Sequence, residues 1–103
     1  MDIKIIQDLC NKKALRWTNH IFVRLVQRNI GTKDVVKTIM EGQIIENYPD
    51  DYPYPSCLII GYTVDSKVLH VVCGVGESEL WLITAYYPDS AKWSEDFKTR
   101  KEL

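Results

Sequence analysis

Thr18-Asn19-His20-Ile21-Phe22-Val23-Arg24-Leu25-Val26-Gln27-Arg28-Asn29 has two faces when it is read at helical spacing. His20, Arg24, Gln27 and Arg28 fall on one stripe, and Ile21, Phe22, Leu25 and Val26 fall on the other. The apolar face is expected in a core, which leaves a histidine and two arginines on the opposite side. Thr18 is a good N-cap, worth about 1 kcal/mol. Gly31 is expected to take the left-handed conformation that closes a helix C-terminus.

Towards the N-terminus, Asp2 to Lys13 places Ile3, Ile5, Ile6, Leu9 and Cys10 close to a helical period, so residues 1–14 form a leading helix docked on the body. Leu15-Arg16-Trp17 has the character of a brief edge strand. Towards the C-terminus, Thr32 caps a second helix running through Val35, Val36, Ile39 and Met40, and Glu41-Gly42 stops it. The pattern then becomes β. Strands are expected at Gln43 to Asn47, Ser56 to Thr63, Lys67 to Val75 and Glu79 to Tyr87, the middle two forming a hairpin that turns at Asp65-Ser66. The stretch Tyr48 to Pro55 holds three prolines and is irregular. Trp93 and Phe97 stand at i, i+4, which predicts a short last helix. The expected architecture is therefore α+β, with N-terminal helices on a four-stranded, mostly antiparallel sheet and a short C-terminal helix. It forms a single domain over 1–103 with its core at 15–101.

Composition narrows the function classes. The 103 residues are 46% hydrophobic and 26% charged, as in an ordinary globular domain. No apolar run reaches the roughly 20 residues of a membrane span, and Met1-Asp2-Ile3-Lys4 lacks the layout of a signal peptide. Cys10, Cys57 and Cys73 form no close pair in sequence, and two scattered histidines give no zinc-ligand spacing. A reduced cytoplasmic protein with no metal and no cofactor is the expectation. Net charge is −1, but the first 40 residues carry eight Lys/Arg against three Asp/Glu, and residues 41–65 carry five acids and no Lys or Arg. The basic part suits phosphate, the acidic part suits a basic partner, and a pI near 6.1 argues against indiscriminate nucleic-acid coating.

Chemistry-bearing residues are few. His20, in the first turn of its helix, is either a structural hydrogen-bonding residue or a proton acceptor. Arg24 and Arg28 suit phosphate or carboxylate, and pairing with acids of the 41–65 segment is the competing account. His70, among Val68, Val72 and their neighbours, has the setting of a satisfied core residue, and its interest is that it is the only other histidine. Tyr86 and Tyr87 end the last strand, where phenols either pack or donate to an oxyanion. Asp50-Asp51 reads as a solvated turn, with cation binding as the alternative. No Gly-rich phosphate loop or Gly-x-Ser-x-Gly elbow is present.

Several strings together resemble a bacterial family catalogued as domain of unknown function 4258: His20, Arg24, Arg28-Asn29-Ile30, Asp34-Val35, Gly42 through Ile45, Tyr48-Pro49-Asp50-Asp51 and Pro53-Tyr54-Pro55-Ser56-Cys57-Leu58. Gly61, Leu69-His70-Val71-Val72, Ile83-Thr84-Ala85-Tyr86, Pro88-Asp89, Trp93 and Asp96-Phe97-Lys98-Thr99-Arg100 extend the match, which spans roughly Trp17 to Lys101. Such domains look like distant relatives of RelE-type ribonuclease toxins, whose fold sets helices first and then an antiparallel sheet bearing the active groove.

The resemblance implies a toxin of a type II toxin–antitoxin pair, a metal-independent endoribonuclease cutting mRNA by 2′-OH transesterification. His20, Arg24, His70 and Tyr86 would be catalytic, with the two histidines as base and acid in either order, and Arg28 and Arg100 would bind RNA. The implied partners are RNA and a cognate antitoxin of the zinc-finger, MqsA-like kind, as in MqsR-type systems. The near-neutral charge departs from strongly basic, ribosome-binding toxins. A non-catalytic module recognising RNA phosphate or an acidic protein partner is the alternative, and a small-molecule enzyme has no cofactor motif behind it.

Overall fold

Thr18 Oγ1 accepts the Ile21 N–H (3.1 Å) and so starts helix α2 (Asn19–Arg28) as the sequence predicts. A computed structural model, describing residues 1–102, places α2 between helices α1 (Ile3–Asn11) and α3 (Thr32–Glu41) in chain order. Strand β1 (Leu15–Trp17) links α1 to α2; β2 (Gln43–Tyr48), β3 (Ser56–Tyr62), β4 (Val68–Val75) and β5 (Leu80–Tyr86) follow α3. Gln7 Nε2 fastens α1 to the end of α3 by donating to the Met40 carbonyl at 3.0 Å.

The fold is α+β and the sheet is mostly antiparallel as expected, but it has five strands, not four, in the order β1-β5-β4-β3-β2, and one parallel pairing makes it mixed. The neighbours β2/β3, β3/β4 and β4/β5 are antiparallel, whereas β1 lies parallel to β5, Leu15 opposite Leu80 and Trp17 opposite Leu82. Ile6, Ile21, Leu25, Val35 and Ile39 from the helices meet Cys57, Ile59, Leu69, Val71, Leu80 and Leu82 in one core. Alternation sends Leu58, Ile60 and His70 to the other face of the sheet, where they are also buried. Cys57 and Cys73 are register partners with their Sγ atoms 3.8 Å apart, a juxtaposition that the linear spacing of the cysteines does not announce. Both are fully buried, and Cys57 and burial together push the Cys73 thiol up.

Four local expectations are corrected. Asn29 (φ 55°), not Gly31 (φ −82°), takes the left-handed cap of α2, because an Asn side chain tolerates that region. Gly31 rather than Thr32 is the N-cap of α3 and lends no side-chain bond. On α2 only Ile21 and Leu25 are buried, whereas Phe22 and Val26 are 43% and 83% exposed, because the helix lies along the sheet edge. No helix forms around Trp93. Phe97 has φ 60°, Asp89 and Asp96 accept the N–H groups of Ala91 and Lys98, and Ser94 Oγ accepts that of Thr99. These local side-chain bonds outcompete a helical ladder, and the segment folds back so that Trp93 bridges Arg100. Among the described residues no helix is long and apolar enough to cross a membrane.

Candidate functional site

The cap at Thr18 sets His20 at the rim of a cleft of about 420 Å³ on the outer face of the sheet. Its walls are aromatic. Tyr54, from the proline-rich loop, stacks on Trp81 of β5 with ring centroids 6.2 Å apart, and Tyr52 beside it is 95% exposed. Gly74 and Ile83 form the floor, and a Cβ at Gly74 would stand 3.5 Å from Ile83 Cδ1, so a larger side chain there would occupy the space. Asp51, at the loop's start, is turned back to accept the buried Ser56 hydroxyl, which ties the loop to β3. An aromatic slot with a histidine at its lip suits a planar heterocycle stacked on the indole or phenol rings.

One turn beyond His20, Arg24 is half-buried and its guanidinium donates to Gln27 Oε1 at 3.4 Å, a long bond to a neighbour on the same helix. Arg28, another turn on, donates to Thr84 Oγ1 (3.2 Å) and the Ala85 carbonyl (2.8 Å), covering the edge of β5 that β1 is too short to reach. Among the described residues neither arginine forms an ion pair, so the acids of residues 41–65 do not claim them. Glu46 of that segment pairs with Arg100 instead, through Nε to Oε2 at 3.0 Å and Nη2 to Oε1 at 3.1 Å.

His70 and Tyr86 belong to this second cluster and are not among the residues lining the cleft. The His70 side chain is fully buried with both nitrogens engaged. Nε2 lies 2.9 Å from the Phe97 carbonyl, which only accepts, so Nε2 carries the proton and Nδ1 accepts from the Tyr86 hydroxyl at 3.3 Å. Trp93 covers the ring edge-on at 4.6 Å, and Arg100 lies over the Trp93 ring at 4.7 Å. Tyr48 donates to Glu46, and burial followed by Glu46 pushes its phenol up to about 12. The cluster clasps the C-terminal segment to the sheet.

Burial pushes the His70 imidazole below its ordinary value, more than the Phe97 carbonyl and Glu46 raise it. Burial raises Glu46, but the Arg100 and Tyr48 hydrogen bonds outweigh it and hold the carboxyl below the usual range. A base depressed on folding binds fewer protons folded than unfolded, so stability falls as the pH drops below 6.5. A depressed carboxyl adds stability above 4.5 that is lost as the pH falls through its folded value. Thermal denaturation between about pH 8 and about pH 5 should show a falling midpoint, and His70→Gln should flatten that slope. A parent chain with a flat profile would contradict the neutral, buried imidazole.

Sequence reasoning gives Tyr54 and Trp81 no role in a site, because they meet only when the loop folds onto β5. Among the described residues no three His, Cys, Asp or Glu side chains converge on a common point that could hold a metal ion. Comparison with known proteins finds no matching curated protein and no matching solved structure. A family model described as "Domain of unknown function (DUF4258)" matches residues 17–87, which contain α2, the proline-rich loop and the whole lining of the cleft. The chain belongs to that family.

Proposed function

We propose that this domain takes single-stranded RNA into the Tyr54–Trp81 cleft and cuts it beside His20, acting as the toxin of a toxin–antitoxin pair. The observation that carries this reading is the placement of an exposed histidine at the lip of an aromatic slot, with Arg24 and Arg28 on the next two turns of the same helical stripe. Helices preceding a largely antiparallel sheet are consistent with a RelE-type relationship. A nucleobase stacks against Trp81 and Tyr54, and the adjoining phosphate lies towards Arg24. The His20 imidazole accepts the 2′-OH proton, O2′ attacks phosphorus, and the P–O5′ bond breaks to leave a 2′,3′-cyclic phosphate. Arg24 offsets the charge that develops on the phosphorane, and solvent protonates the departing O5′. In this scheme His70, Tyr86 and Arg100 keep the sheet and the C-terminal clasp in place.

A second reading, a module that binds RNA phosphate without cutting it, is favoured by one specific observation: His70 is sealed, so one histidine stands at the cleft where the resemblance implies two. Binding and cleavage of a single-stranded RNA separate the two readings. Trp81→Ala should weaken binding by about 1–3 kcal/mol, the loss of one stacked base. His20→Ala should keep binding and lower cleavage about 100-fold. Retained binding without cleavage by the parent chain selects the binding module, and no binding at all removes both. Growth arrest on induction in a bacterial host, relieved by His20→Ala, tests the toxin assignment.

A further inference from the structure

On the helix-bearing side of the sheet, an open groove of about 610 Å³, whose lining does not include His20, runs between β1, α2 and α3. Its apolar surface comes from Leu15, Trp17, Phe22 and Val36, with Phe22 stacked on Trp17 at 5.7 Å. Val26, one turn along α2 from Phe22 and so on the same helix face, is 83% exposed. β1 is an edge strand, paired only with β5. Such an apolar edge normally invites pairing or is covered.

The rim identifies what covers it. Lys13, Lys33 and Lys37 surround the groove, and no Asp or Glu lines it. The acid in the first turn of α3, Asp34, is turned away to accept the Val64 N–H at 2.9 Å. Lys37 is shared between the Tyr62 carbonyl (3.0 Å) and Glu41 (3.7 Å), whereas Lys13 and Lys33 form no ion pair among the described residues. From this we infer that the groove docks an acidic, amphipathic segment of a partner protein. Its apolar side chains cover Trp17, Phe22 and Val26, and its carboxylates meet Lys13 and Lys33. The chain's own exposed acidic loop is a poor occupant, since Asp51 is bonded to Ser56 and Tyr54 is stacked on Trp81. This inference is independent of the RNA reading.

The test is selection of random peptides of about twelve residues on the full chain, followed by NMR titration of the winning sequence. The expected winners interleave apolar residues with Asp or Glu and shift the resonances of Leu15, Trp17, Phe22 and Val36. The double variant Lys13→Glu/Lys33→Glu should bind them at least about tenfold more weakly, and Val26→Ser, at an exposed site, should also weaken them. Winners that lack acids, shifts centred on the Trp81 cleft, or unchanged binding by the charge-reversed variant would each overturn the inference. Concentration-dependent shifts of the groove residues without peptide would assign the surface to a second copy of the chain and overturn it too.

Discussion

Trp93→Ala should destabilise the chain by about 3–5 kcal/mol, the cost of truncating a buried aromatic residue. Trp93 is 3% exposed although it belongs to no helix or strand, and it lies outside the cluster beneath the helices. Its ring meets His70 edge-on and also carries the Arg100 guanidinium over its face. Truncation therefore removes apolar burial, an edge-on aromatic contact and a cation–π contact together. It also admits water to an imidazole that was buried neutral. Denaturant unfolding of parent and variant measures the loss, and Trp93→Phe should recover part of it. In the Ala variant the pH dependence assigned to His70 should shrink, because a solvated imidazole no longer differs between folded and unfolded chains. A loss under about 1 kcal/mol would mean that the C-terminal segment merely rests on the sheet.

What the sequence discloses and what it hides follow the range of the interactions involved. α2 and its Thr18 cap are decided within a dozen residues, and the helical stripe that sets His20 and Arg24 apart from Ile21 and Leu25 is visible there. His70 among valines already has the look of a core residue, and its two saturated nitrogens agree. β1 is visible as a strand, but its parallel partner is at the far end of the chain, and three residues carry no information about which strand they join. The cleft is hidden for the same reason: Tyr54 and Trp81 come from a loop and a strand that register alone brings together. The C-terminal helix that the spacing predicts is absent for a different reason. The spacing of Trp93 and Phe97 imitates a helical face, while Asp89, Ser94 and Asp96 supply the turn chemistry that decides the local backbone.

Gly42→Ala should cost about 3 kcal/mol, at the upper end of what overpacking a core usually costs. Gly42 reads in the sequence as the residue that stops α3, and the structure adds a stronger requirement. Its backbone is extended (φ −91°, ψ −170°), a conformation open to any residue, so the constraint is space. A Cβ there would stand 2.3 Å from both the Thr38 and the Ile60 carbonyl oxygens, which are backbone atoms with no rotamer to yield. The Gly42 N–H itself donates to the Thr38 carbonyl at 2.8 Å, so the chain leaves α3 pressed against β3. Gly61 meets the same turn from the sheet side, where a Cβ would lie 2.9 Å from Thr38 Cα. The Ile60 contact of a Gly42 Cβ and the Thr38 contact of a Gly61 Cβ both cross between α3 and β3, so relieving either of these requires lifting the end of α3 off β3. Once Gly42→Ala has lifted it, Gly61→Ala should cost less than it does alone, and the double variant should fall short of the sum of the singles. Denaturant midpoints of the parent chain, both singles and the double variant measure that coupling. Strict additivity would mean that the two glycines are constrained separately, and a neutral Gly42→Ala would show that α3 does not seat on β3 at this distance.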